Sequence, residues 1–396
     1  MSKMSYSFNE IIPRKGTNSL KYDFAEERGK PKDILPLWIA DMDFKVPEVV
    51  SKRLNELAAH GIFGYSEVGT SYFEAVSNWM ATYHNWKVKE EWLIKAPGVV
   101  FAIAMAIRAL TKEGDSILIQ QPVYHPFSKI ILNNDRKLVS NTLIYQDGRY
   151  SIDFDDFEEK IVEHQVKLFI LCNPHNPVGR VWTKEELIKL GDICLKHQIL
   201  VVSDEIHQDF IYQGYKHEVF MNLNKAYEEI TITCTAPSKT FNLAGLQVSN
   251  IFIANASVRR KVRKEIARIG YSRLNSAGLV ACEAAYTEGR EWLEALKTYL
   301  MGNLEYLRKF IETKLPEIKL VEPEGTYLVW LDFNALGLKE EALEEFIVKK
   351  ANLWLNSGSI FGESGQGFER INIACPREIL NQALEQLWIS IKALRV

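Results

Sequence analysis

From residue 116 to residue 254, short apolar runs alternate with stretches of helical character, and this alternation constrains the fold more than any other feature. The runs lie at 116–120, 138–143, 166–172, 199–202, 230–235 and 248–254. Each has the length and apolar content of a buried strand. Between two of them, 184–197 reads as a helix opened by Thr183-Lys-Glu-Glu186, a capping-box pattern. Strands alternating with helices form a parallel or mostly parallel sheet covered by those helices. In an open sheet of this kind, ligands bind outside the carboxyl ends of the strands.

Three segments sit just past such ends. Asn173-Pro-His-Asn-Pro-Val-Gly179 follows the run at 166–172, Ser203-Asp-Glu-Ile-His207 follows 199–202, and Pro237-Ser-Lys-Thr-Phe-Asn242 follows 230–235. One crevice would therefore receive an amide, a carboxylate and an amine. Pyridoxal 5'-phosphate needs that trio: an acceptor for its ring nitrogen's proton, a donor to its phenolic oxygen, and a lysine for its aldehyde. The motifs point to an enzyme that uses this cofactor.

Lys239 is the residue on which the reading depends. Pro237, Ser238, Phe241, Ala244, Gly245 and Leu246 surround it in sequence. So small and apolar a setting desolvates an ammonium and lowers its pKa, as chemistry on a lysine amine requires. Asp204 closes an apolar strand, and a carboxylate buried there needs a cation beside it. A protonated ring nitrogen is such a cation. Asp204, Glu205, His207 and Asp209 could instead suggest a metal site, but soft ligands and a second histidine at helical spacing are missing.

Each asparagine of Asn173-Pro-His-Asn-Pro precedes a proline, which biases it toward extended backbone. Such an asparagine can project its amide toward a ligand, or simply build a structural turn. Ala96-Pro-Gly-Val-Val-Phe101 fits a helix N-terminus able to hold a phosphate, with Gly98 allowing close approach. Gly362-Glu-Ser-Gly-Gln-Gly367 lacks the order and setting of a phosphate loop and reads as a flexible loop. Arg370, on an expected strand, could grip a substrate carboxylate in two-pronged fashion, or lie exposed.

At 396 residues the chain suits two domains sharing one site. A large domain is expected at 47–286, with 1–46 and 287–396 forming a small α+β domain. Its strands are expected at 318–321, 326–331, 353–355 and 369–373, its helices at 339–351 and 377–394. A long helical stretch over 277–314 breaks near Gly289. A net charge of −3 favours neither nucleic acid nor an anionic membrane, and no apolar stretch is long enough to span a bilayer. The five cysteines form no C-x-x-C pair and read as buried reduced thiols, which suits the cytoplasm.

These motifs resemble the fold-type I pyridoxal-phosphate enzymes of the aminotransferase class I/II superfamily. Pro36-Leu-Trp-Ile-Ala-Asp-Met-Asp-Phe44, Asp204-Glu-Ile-His207 and Ser238-Lys-Thr-Phe-Asn242 look more narrowly like the cystathionine β-lyase branch, the MalY/PatB-like C–S lyases. The resemblance implies an α/β fold with a mostly parallel seven-stranded sheet in the large domain. By it, Lys239 bonds the cofactor's aldehyde, Asp204 pairs with its ring nitrogen, and Asn176 donates to its phenolic oxygen. Tyr124 would stack on the ring. Gly98, Val99 and Ser238 would hold the phosphate, helped by Tyr65 from the second subunit of a homodimer. Arg370 would bind the carboxylate of a sulfur amino acid, with Ala40 beside it. His207 stands where many aminotransferases have a tyrosine, and Gln247 where many have a phosphate-binding arginine. The implied reaction is β-elimination from cystathionine or cysteine; the alternatives are an aminotransferase, or a cofactor-binding regulatory protein acting through protein contacts.

Overall fold

The computed structural model describes residues 6–394. Its main sheet has seven strands: β1 (Leu93–Ala96), β2 (Ser116–Ile119), β3 (Lys137–Ser140), β4 (Leu168–Cys172), β5 (Leu200–Asp204), β6 (Thr231–Thr235) and β7 (Ser249–Ile253). They lie in the order β1-β7-β6-β5-β4-β2-β3. Only β7 runs against its neighbours, so the sheet is mostly parallel, as expected. Six of the strands fall on the apolar runs; β1 carries only a short alternating signal (Leu-Ile-Lys-Ala) and was not anticipated.

Helices cover both faces. The helix Val99–Leu110 is apolar nearly all round and correspondingly buried. Lys184–Lys196 begins with the anticipated capping box: Glu186 N–H donates to Thr183 Oγ1, and Thr183 N–H to Glu186 Oε2. The long helical stretch divides as expected, into Ser276–Glu288 and Arg290–Lys314. Gly289 stands at the break because a Cβ there would meet the Ala285 carbonyl at 2.4 Å and the Phe241 ring at 2.5 Å.

A second, antiparallel sheet joins β8 (Lys319–Val321), β9 (Leu328–Asp332), β10 (Asn356–Ser357) and β11 (Phe368–Asn372) in the order β8-β9-β11-β10. Four expectations need correction here. The run at 353–355 does not enter this sheet; Leu353–Trp354 pairs in parallel with Leu35–Pro36, joining the tail to the N-terminal segment. The strand expected from 326 starts at Leu328, because Thr326 adopts a left-handed φ of 69° and its hydroxyl caps the Leu328 backbone. The helix expected over 339–351 is α-helical only at Glu340–Glu345 and then widens into a π turn at Phe346–Lys350. The 362–367 loop, expected to be flexible, is a packed turn: a Cβ on Gly365 would fall 2.1 Å from the Gly358 carbonyl.

Candidate active site

The carboxyl ends of β4, β5 and β6 meet at one edge, where Cys172 pairs with Asp204 and Asp204 with Cys234. β1 ends at the same edge and β7 begins there, with Ala96 opposite Ser249. The edge therefore gathers the segments that leave β1, β4, β5 and β6 and the segment that enters β7. A cleft there is lined by Ala40, Gly98, Val99, Tyr124, Asn176, Asp204, His207, Ser238, Lys239 and Gln247. All the anticipated site residues but Tyr65 and Arg370 line it, and Arg370 touches it through Asn176.

Lys239 lies in the short helix Pro237–Thr240, immediately after β6. Its Nζ donates to the Ala40 carbonyl at 2.7 Å. Burial pushes its pKa down to about 8; Asp41 opposes this, Arg370 adds to it and Asp204 opposes it. Asp204, at the end of β5, is 4% exposed. Its carboxylate accepts the Ile206 N–H at 3.2 Å and forms no ion pair among the described residues. Burial therefore raises it to about 7. A cation placed against it would be stabilised and would restore the carboxylate.

His207 Nδ1 is buried with no hydrogen-bond partner. Burial and the nearby Lys239 hold this imidazole neutral, far below its usual range. Burial pushes the Tyr124 phenol up to about 12, with Asp204 adding to the effect, so the ring stays protonated. Asn176 Oδ1 accepts from Arg370 at 2.9 Å. Because a guanidinium only donates, this assigns the amide's orientation and leaves its N–H2 as the donor. Asn173, in contrast, is structural: its amide donates to the Glu218 carbonyl and accepts from Trp182 N–H.

Gly98 caps the helix Val99–Leu110 with extended backbone, φ 175°. A Cβ there would meet nothing within 4 Å, so the missing side chain keeps space open above the helix N-terminus. That is the space an anion would occupy. Tyr65 lies elsewhere, 96% exposed, with Arg273 over its ring. Arg370 sits in β11 between Trp330 and Asn356 and is 3% exposed, not an exposed strand arginine. It donates to Asn176, to the Trp38 carbonyl at 2.7 Å and to Asn356, while its Nε has no partner.

Spacing could not reveal the groups that support these. Asp209 accepts from Thr240 Oγ1 at 2.6 Å and from Trp79 Nε1 at 3.1 Å, and is hydrogen-bonded to His84 at 2.9 Å, so it anchors the turn bearing Lys239. Glu205 takes Ser203, the Phe220 N–H and His217. The acidic residues around Asp204 are thus engaged by protein donors. Arg14 and Lys21 hold Asp41 and Asp43.

The cleft fits pyridoxal phosphate on its own terms. A buried carboxylate without a cation could receive a ring N–H, an amine is poised beside it, and a helix N-terminus opens onto empty space. Comparison with known proteins agrees. Residues 32–387 match the family described as aminotransferase class I and II. The chain is 43% identical over 381 residues to cystathionine beta-lyase PatB of Bacillus subtilis (strain 168), covering 96% of this chain and 98% of PatB. Protein MalY of Escherichia coli (strain K12) is 31% identical over 392 residues, 98% of this chain and 100% of MalY. The crystal structure of cystalysin from Treponema denticola, which contains a pyridoxal 5'-phosphate cofactor, matches with a TM-score of 0.95 at 40% identity, covering 99% of this chain and 100% of that one. With its sheet order, cleft and near full-length relatives in agreement, this chain belongs to the class I and II aminotransferase family.

Proposed function

We propose that this chain is a pyridoxal-phosphate-dependent carbon–sulfur β-lyase that converts a cystathionine- or cysteine-type amino acid and water into a thiol, pyruvate and ammonia. The observation that carries this reading is the placing of Lys239 and of buried Asp204, which forms no ion pair among the described residues, in one cleft beside a buried arginine. When bound, the cofactor supplies an electron sink for the pair of electrons left at the substrate Cα.

The chain's own residues do the rest. Lys239 would bond the cofactor, Asp204 would face its ring nitrogen and Asn176 its phenolic oxygen, with His207 nearby. Tyr124 would stack on the ring. Gly98, Val99 and Ser238 would hold the phosphate, and Gln247 lines the same cleft without adding charge. Arg370 would fix the substrate carboxylate beside Ala40 through the N–H donors its protein partners leave free. Once the substrate amine has displaced it, Nζ of Lys239, uncharged in part near neutral pH, would take the proton from the substrate Cα. The β-sulfur then leaves as a thiolate.

We infer a homodimer acting in the cytoplasm. The exposed strip of Ile62, Phe63 and Tyr65 supports the dimer, and five buried free cysteines suit a reducing compartment. No helix among the described residues is long and apolar enough to cross a membrane. The division into 47–286 and 1–46 with 287–396 is part of the proposal, supported by the pairing of Leu35–Pro36 with Leu353–Trp354.

The test is incubation with the cofactor and L-cystathionine without any keto acid, comparing wild type with Lys239→Ala. Release of pyruvate and free thiol by wild type alone is expected. Turnover only when a keto acid is added would replace the lyase by a transaminase.

A further inference from the structure

Residues 37–46 have neither helix nor strand, so their backbone polar groups depend on partners from elsewhere. Two asparagine side chains supply many of them. Asn242, three residues beyond Lys239, donates to the carbonyls of Met42 and Phe44 at 3.0 Å each and accepts the Met42 N–H at 3.0 Å. Asn372, two residues beyond Arg370, donates to the carbonyls of Ile39 at 2.7 Å and Asp41 at 2.6 Å. Its Oδ1 accepts from Ala374 N–H at 2.8 Å. Ala40 lies between the two residues that Asn372 holds and just before those that Asn242 holds, and its carbonyl receives Lys239 Nζ and the Tyr327 hydroxyl.

We propose that Asn242 and Asn372 are positioning residues that hold the Ala40 carbonyl as the acceptor of the free Lys239 amine. The proposal rests on the reading that Lys239 is the reactive lysine. One clamp belongs to the turn that carries this lysine, the other to the strand that carries Arg370. The acceptor is thereby fixed from both walls of the cleft. A lysine that alternates between a covalent bond and a free amine needs a defined place for the free state, and a rigid carbonyl provides one. Charged and titratable groups facing the amine are Asp41 on the strap, Asp204 at the end of β5, His207 beyond it, Arg370 on β11 and Tyr327 just before β9. None of these is a clamp residue, so removing either carboxamide changes the acceptor without changing the charge.

The test is competitive acetylation of cofactor-free protein across pH, read at Lys239 by peptide mass spectrometry against exposed Lys137 and Lys319. The variants are Asn372→Ala and Asn242→Gly; glycine suits the left-handed φ of 59° at 242. Loss of the acceptor disfavours the ammonium. A tenfold change in its proton affinity would raise the free amine at pH 7 from about one tenth to about one half, or about fivefold faster labelling. Two outcomes overturn the clamp: profiles equal to wild type, or a shift toward an ordinary lysine, which would mean the strap only excludes water. A wild-type Lys239 that titrates as an ordinary lysine would overturn the reactive-lysine reading itself, and the proposal with it. If one variant does not fold, the other decides, because the two approach the strap from different elements.

Discussion

Two cations flank the cleft, half-buried Lys239 on the main-sheet edge and buried Arg370 on the small sheet, and the same lowering by desolvation has different consequences for them. Burial brings Lys239 down to about 8 and Arg370 down to about 10. Lysine starts low enough that the shift makes its amine available near neutral pH. Arginine starts so high that it stays charged. Their partners match these roles: the Lys239 amine has the single carbonyl of Ala40, whereas the Arg370 guanidinium has Asn176, Trp38 and Asn356 and lies over the Phe361 ring. One cation is left able to react and the other is tied into place. Intrinsic basicity is what separates the proposed base from the proposed anchor.

Exchanging the two chemistries gives the hardest test. Lys239→Arg keeps the charge but neither bonds an aldehyde nor releases its proton; kcat is expected to fall by on the order of 10³ or more, as for Lys239→Ala. Activity within tenfold of wild type would break the comparison. Arg370→Lys keeps a cation but loses the planar fork, so kcat/KM for L-cystathionine is expected to drop by about 10–100-fold, mainly through KM. A fall confined to kcat would remove Arg370 from carboxylate binding.

Asp204 sharpens the comparison through stability. With its carboxyl raised from 3.8 to about 7, the folded, cofactor-free chain holds a proton there that the unfolded chain has already released. The contribution of this group to stability therefore falls as pH rises from about 4 to about 7 and stays low above that. Asp204→Asn should stabilise the cofactor-free protein at pH 8, by on the order of a few kcal/mol at most, and have little effect at pH 4. Thermal melts of both proteins at the two pH values measure this, and equal differences at both would refute the cation-free carboxylate. The same variant should bind the cofactor more weakly. The smallest effect is expected from Asn356→Ala, which removes one of the acceptors of Arg370: a rise in KM of about three- to tenfold, with kcat nearly unchanged.

Much of this site was legible along the chain because chemistry in an open α/β sheet follows the ends of strands. Asp204, Asn176 and Lys239 could be placed together from three apolar runs and the segments after them. Arg370 could be named but not located, since a strand arginine reads the same whether exposed or buried; only the pairing of β11 with β9 and β10 encloses it. β1 escaped notice because four residues with alternating burial carry little apolar signal. The supporting acids were opaque for another reason. Asp209 looks like a neighbour of Asp204 in sequence, yet it serves Lys239, through a threonine 31 residues away.

By itself, then, the sequence determined the kind of sheet, the edge at which ligands bind and the residue types gathered there, because strand periodicity and chain direction are local properties. Tertiary structure decided the electrostatic state of those residues. Whether a lysine is a base, a carboxylate lacks a cation or an arginine is an anchor depends on desolvation and on partners far apart in the chain, such as Ala40 with Lys239 and Asn176 with Arg370. The irregular strap at 37–46 shows the limit most clearly: its local pattern specifies no structure, and asparagines from two other elements hold it in place.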